Sequence, residues 1–411
     1  MLQFMKTWGS TIHIVYLRKV LEMPLPNHRL SALIASVFLF GVALDSNAAT
    51  PVFKATELGS LGGHTYAYGL NSSGQVVGYS NLANGQAQAF ITGPQGNGIA
   101  ALGTLGGTFS YAFGINDIGQ VVGSSGTVAG GIYQTPFITG PNGHVMYGIL
   151  APDGGSYFGR AYGINNSGQV AGDTLYDSSS GNVHGFVTGA NASGMTILGT
   201  FGGGESEAES INDSGQVAGY ATTSGDTIAY DFFASSANGY ALTQIAQNSD
   251  YQDLRSVGIN SNGQVVGATL LYGSERGYET GPNGVWGNYV GALCGDFSCS
   301  LSNAVLGINK DGMIVGWSST FTPGTQQHAF VSGTNGIGMY DLNSLVSLPG
   351  GDYFTTATGV NNSGQVIANT NQGYAYLLTP VAVPTPEAST FAMMLAGLGM
   401  VGVIAGRKKR S

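Results

Sequence analysis

Charge is scarce in this chain, and positive charge scarcest of all. Only 9% of the 411 residues are Asp, Glu, Lys or Arg. Between Thr50 and Pro380 the basic residues are Lys54, Arg160, Arg255, Arg276 and Lys310, against 19 acidic ones. That balance excludes a nucleic-acid partner, which needs clustered Lys and Arg to neutralise phosphates. Helical patterning is missing too: no long stretch of the body has apolar residues at a 3.6 period, so helix is expected only at the two ends. His64, His144, His184 and His328 fall in different parts of the chain and give no zinc-ligand spacing. No Gly-x-Ser-x-Gly elbow sits on a strand-to-helix turn. The sequence therefore offers no catalytic residue and no metal ligand set.

What is abundant is glycine, 68 residues of it, in a chain that is 43% hydrophobic. Short strands joined by tight turns account for that composition. The stretch Gly114 to Gly123 recurs along the body, its asparagine reappearing as Asn71, Asn116, Asn165, Asn212, Asn260, Asn309 and Asn361. The intervals of 45, 49, 47, 48, 49 and 52 residues mark one copied supersecondary unit. In the second unit Tyr111–Ile115 reads as a first strand and Asn116–Gly119 as a turn, in which the carboxamide bonds nearby backbone and glycine takes the positive φ. Gln120–Ser124, Thr135–Thr139 and His144–Leu150 follow as three further strands. Four antiparallel strands in such a span match one propeller blade.

The ends of the series decide the closure. Val52–Leu58 has the pattern of a fourth strand with no first three before it, and the last unit has strands at Thr355–Val360, Gln365–Asn369 and Tyr374–Thr379 but no fourth. The fold class expected is therefore all-β: a seven-bladed β-propeller over residues 50–380, closed by its N-terminal strand, which leaves no long sheet edge exposed. An open β-solenoid is the lesser alternative, since such a stack needs caps.

The flanks read as export machinery. Residues 1–22 are an extra leader or a mis-assigned start, with Met23 the better initiator. Residues 23–49 have the three regions of a signal peptide: Arg29, an apolar run to Leu44, and small residues to Ala49. At the other end Pro384, Pro386 and Glu387 lie in a Pro-rich linker, 381–390. An apolar helix, 391–406, and the tail Arg407, Lys408, Lys409 and Arg410 follow, the tail holding its end in the cytoplasm. This layout resembles the PEP-CTERM sorting signal of Gram-negative, polysaccharide-producing bacteria, with Ala388 where the second proline would stand. The resemblance implies an exosortase-type partner and an inner-membrane-anchored intermediate. Delivery to the outer surface or extracellular matrix would follow. In an exported chain the spacing of Cys294 and Cys299 suits a small disulfide ring.

A second resemblance covers the body. Leu102–Gly107, Gly114–Gly123 and above all His328-Ala329-Phe330 look like the extracellular HAF repeats, named for that tripeptide. Its counterparts read Gln88-Ala89-Phe90, Thr135-Pro136-Phe137, His184-Gly185-Phe186, Asp231-Phe232-Phe233, Gly277-Tyr278-Glu279 and Tyr374-Ala375-Tyr376. The resemblance supplies an architecture and a place, not a reaction.

Candidate ligand residues come from loops that the repeat does not dictate. On a propeller the loops entering first strands and those joining second to third strands share one face. They carry Asp153, Tyr157, Glu205, Glu207, Asp250, Tyr251, Asp296, Asp352 and Tyr353. Aromatic faces stack on sugar rings, and carboxylates accept sugar hydroxyls or hold calcium, the one cofactor the rim could take. The densest acid run, Glu205 to Glu209, lacks the spacing of a calcium loop and reads as a solvated loop. The body is expected to be a non-enzymatic binding or structural module for exopolysaccharide or other envelope components. The alternative is a carbohydrate-active hydrolase or lyase using rim carboxylates.

Overall fold

A computed structural model describes residues 51–128, 134–152, 158–177, 181–225, 229–245, 252–271, 274–285, 287–293, 302–320 and 327–381. The expected leader, signal peptide, sorting motif, C-terminal span and both cysteines lie outside these residues. Among those described, no helix is long and apolar enough to cross a membrane.

The described residues form seven four-stranded antiparallel sheets. Blade 1 runs Gly62–Leu70, Val76–Leu82, Ala87–Thr92 and Ile99–Ala101. Blade 2 runs Ser110–Ile115, Val121–Gly126, Gln134–Thr139 and Met146–Gly148. The inner strands of blades 3 to 6 are Gly159–Ile164, Gly202–Ile211, Gln252–Ile259 and Asn303–Ile308. Blade 7 takes Phe354–Val360, Val366–Thr370 and Ala375–Pro380, and its fourth strand is Phe53–Glu57, paired Phe53 to Pro380 through Glu57 to Tyr376. The N-terminal strand thus closes the ring as the strand count predicts. Among the described residues one α-helical turn, Leu342–Leu345, joins the short 3-10 turns between strands, and Asp341 caps it by accepting from the Asn343 backbone at 2.8 Å.

Apolar side chains gather between blades rather than within them. Val77, Ala89 and Ile91 of blade 1 pack on Ala112, Ile115, Val121 and Phe137 of blade 2. Leu58, Ile367, Ala375 and Leu377 pack on Ala67, Val76 and Phe90 where blade 7 meets blade 1. Every inter-blade seam has such a cluster, so burial itself holds the ring shut.

The repeated asparagine does more than fix turns. Asn116 Oδ1 accepts from the Gln120 backbone at 2.9 Å, and Gly119 completes the turn at φ 76°. The other end of the same carboxamide reaches the next blade: Asn116 Nδ2 donates to the Asn165 carbonyl at 3.2 Å. All seven asparagines repeat this donation, at 2.9 to 3.2 Å, and Asn361 returns to Asn71. Each bond is worth about 1 kcal/mol net, and together they form a closed belt around the axis.

Candidate ligand-binding site

Among the described residues, the predicted rim positions fall into two separate places. Asp153, Tyr157, Asp250, Tyr251 and Asp296 lie outside the described residues. Asp352 and Tyr353 enter blade 7, where the Tyr353 ring sits 5.5 Å from His328, whose Nδ1 is 2.7 Å from Asp341. The histidine of the intact tripeptide is therefore paired with a carboxylate. Glu205 and Glu207 are three blades away on the ring. They belong to the inner strand Gly202–Ile211 of blade 4, so the acid run is a strand and not the expected solvated loop. Alternation explains the difference: Ser206 and Ala208 are buried in the seam while Glu205, Glu207 and Glu209 point the other way.

Glu207 leads to a cluster away from the predicted rim. Its carboxylate lies 3.6 Å from Arg160 and 3.3 Å from the Tyr162 hydroxyl, both on the inner strand of blade 3. Arg160 also pairs with Asp173 at 2.9 Å, lies over the Tyr162 ring at 5.3 Å, and donates its backbone N–H to Asp173 at 2.6 Å. Asp173 is wholly buried, while the Arg160 side chain is 33% exposed.

From Tyr162 a line of aromatic rings continues backwards through two blades. Phe113 is 5.5 Å from Tyr162, and Tyr68 is 5.7 Å from Phe113. Tyr111 stands 5.0 Å from Tyr79, which stacks on Tyr66 at 5.0 Å. These rings are half-buried, and Tyr68 is 38% exposed. All but Tyr79, which is on the second strand of blade 1, stand on inner strands, so the rings form a continuous aromatic wall across blades 1 to 3. The signal was in the sequence: relative to the repeated asparagine, the third and fifth preceding positions hold aromatics in blades 1 and 2 and charged residues or tyrosine in blades 3 and 4. Period-2 burial logic alone assigns such positions to one sheet face without saying that the rings of neighbouring blades meet there.

The electrostatics of the cluster follow from burial. The Asp173 carboxyl is pushed up to about 6, because desolvation outweighs the attraction of Arg160 and Glu207 adds repulsion. Burial, with Asp173 and Glu207 nearby, holds the Tyr162 hydroxyl protonated well above the usual tyrosine range. Since the folded carboxyl titrates above its unfolded value, folded protein binds more protons between about pH 4 and 6, and stability falls as pH rises through that window. The unfolding midpoint should therefore rise when pH is lowered from neutral towards about 5. The gain from this group is at most about 3 kcal/mol. Asp173→Asn should flatten that rise in a pH series of thermal melts; an unchanged slope would remove Asp173 as its source.

A different opening lies at the turn side of the axis. A funnel of about 210 Å³ is lined by the asparagine belt and by Ser72, Asp117, Asn166, Asp213, Lys310 and Asn362. Its acidic arc is stitched shut, with Asn166 Nδ2 donating to Asp117 at 3.1 Å and to Asp213 at 3.0 Å. Hydrogen bonds from Ser72 and Asn166 hold Asp117 below the usual carboxylate range despite the opposing effect of burial. Among the described residues no three His, Cys, Asp or Glu side chains gather as a metal site.

No curated protein matches the chain. A YCF48 structure bound to D1 peptide is 12% identical, covers 82% of this chain and 96% of its own, and superposes with a TM-score of 0.49. YCF48 from Cyanidioschyzon merolae is 10% identical over 80% of this chain and 99% of its own, with a TM-score of 0.47. The β-propeller domain of the Trilobed protease from Pyrococcus furiosus is 9% identical, covering 77% and 94%, with a TM-score of 0.46. Residues 384–410 match the PEP-CTERM protein-sorting motif, which marks this seven-bladed propeller as an exported substrate of an exosortase.

Proposed function

We propose that the chain is a non-enzymatic module of the bacterial surface or extracellular matrix that binds polysaccharide through the aromatic wall of blades 1 to 3. The resemblance to HAF repeats and the layout of the sorting signal favour an extracellular place of work. The observation that carries the binding reading is the run of half-buried rings from Tyr66 to Tyr162, which ends on charged groups. Ring faces left partly open to water offer stacking platforms for the apolar faces of sugars, and the flanking carboxylates accept hydroxyl hydrogen bonds. Asp352 and Tyr353, at the entry to blade 7, are a second place where a sugar ring could stack.

The test is retention of the full-length protein on immobilised exopolysaccharide. Wild type should be retained, and Tyr68→Ala, at the most exposed ring, should weaken binding by about 1 kcal/mol, roughly fivefold. Retention unaffected by Tyr68→Ala and Phe113→Ala together would place the ligand elsewhere. Shortening of the polymer during the assay would instead point to the hydrolase or lyase alternative.

A further inference from the structure

We infer that the wall selects a polysaccharide whose sugars carry free amino groups, a polymer of unacetylated hexosamines, over neutral and acidic chains. This inference rests on the binding reading above and adds the charge of the ligand. On the inner strands of blades 1 to 4 the only Arg or Lys is Arg160. Its guanidinium is already committed to Asp173 at 2.9 Å and Glu207 at 3.6 Å, with the Tyr162 ring beneath it. An incoming uronate or phosphate would have to displace those partners and would meet Glu207 and Glu209 on the facing strand. A bound anion therefore faces repulsion, together with the desolvation of its own charge.

For an ammonium group the same geometry is favourable. Arg160 is shared between Asp173 at 2.9 Å and Glu207 at 3.6 Å, and the Glu207 carboxylate borders the end of the aromatic line at the Tyr162 hydroxyl. The Glu207 side chain is 17% exposed, so a cation approaching along the wall can meet it without unfolding the seam. Aromatic faces themselves attract cations, with Tyr162 already holding one and Phe113 and Tyr68 next along. An amino sugar stacked on these rings places its ammonium where both attractions act. The acidity of the whole body, 19 carboxylates against five cations, biases the encounter in the same direction.

The experiment is calorimetric titration of the full-length protein with three soluble probes at about pH 6, where hexosamine amines are largely protonated: a glucosamine hexamer, an N-acetylglucosamine hexamer and a galacturonate hexamer. The glucosamine hexamer should bind at least about tenfold tighter than its acetylated counterpart. Its affinity should fall as salt is raised, and galacturonate should show no binding. Glu207→Gln should shrink the preference for glucosamine over the acetylated hexamer about tenfold. Equal affinity for the two, or binding of galacturonate, would overturn the charge selection while leaving the binding reading in place. Silence from all three hexamers would bring down both. If Glu207→Gln fails to fold, the salt series on the wild type decides, since affinity indifferent to salt contradicts an ammonium–carboxylate contact.

Discussion

Replacing Tyr278 by phenylalanine should lower the stability of the propeller by about 3 to 4 kcal/mol, and adding Asp231→Ala to that variant should restore most of the loss. Both side chains are wholly buried, one in blade 4 and the other in blade 5, and the Tyr278 hydroxyl donates to Asp231. Burial and the neighbouring carboxylate hold that hydroxyl protonated far above the ordinary tyrosine range, so it is the donor at every accessible pH. Phenylalanine at 278 takes that donor away from a carboxylate at 0% exposure, and a buried charge that loses a partner costs more than the bond itself was worth. Asp231→Ala alone removes the acceptor of a neutral hydroxyl rather than the donor to a carboxylate and should cost less, about 1 to 3 kcal/mol.

The double variant follows from the register of the repeat. The buried aromatic of each third strand pairs across from the second-strand glycine: Phe90 with Gly78, Phe137 with Gly123 and Phe186 with Gly172. In blade 4 the partner of Gly219 is Phe232, and in blade 5 the partner of Gly267 is Tyr278. The tripeptides of these blades are thus Tyr230-Asp231-Phe232 and Arg276-Gly277-Tyr278, one residue earlier than the sequence comparison placed them. Asp231 stands where blades 1, 6 and 7 have alanine, and Tyr278 where blades 1 to 4 and 6 have phenylalanine. Alanine and phenylalanine together rebuild the apolar seam. Denaturant titrations of the two single variants and the double give the coupling energy directly; additive losses would mean that the pair is not a unit.

That misplaced register shows which parts of this fold are legible without coordinates. Blade number and closure could be read because Asn116 and its counterparts recur at nearly constant spacing and because an orphan strand at Val52–Leu58 needs a partner. The belt through Asn116 Nδ2 could not, because the turn uses only Oδ1 and the second bond joins residues 49 apart that meet only once the ring closes. Arg160, Asp173 and Glu207 were hidden for a related reason. Each sits in a strand that reads as sheet filling, and only the meeting of blades 3 and 4 makes them a cluster. The run at Glu205 misled because acid density suggests solvent, whereas alternation with Ser206 and Ala208 was the stronger cue.

Gly123→Ala should be among the most damaging single methyls in the described blades, costing more than about 3 kcal/mol, although the backbone of Gly123 is open to any residue. The cause is space. A Cβ at Gly123 would fall inside the contact radius of the Tyr111 carbonyl oxygen and within 2.8 Å of the Phe137 ring. The inner strand passes that close because a bulge between Ala112 and Gly114 presses its backbone over the second strand. The same intrusion recurs at Gly78 against Tyr66, at Gly219 against Glu207 and at Gly316 against Ala304. Blade 7 alone carries a methyl at this position, Ala368, and there the facing aromatic, Tyr376, is 8% exposed whereas Phe137 is wholly buried. A ring shifted outward makes room that blade 2 lacks, since Phe137 is locked against Val77, Ala89 and Ile91 of blade 1. Ala368→Gly should accordingly cost only about 1 kcal/mol, from lost burial and added chain freedom. Thermal melts of the two variants side by side make the comparison. A Gly123→Ala protein as stable as Ala368→Gly would show that the inner strand can lift away from its neighbour, and that the glycine serves something other than the close approach of two strands.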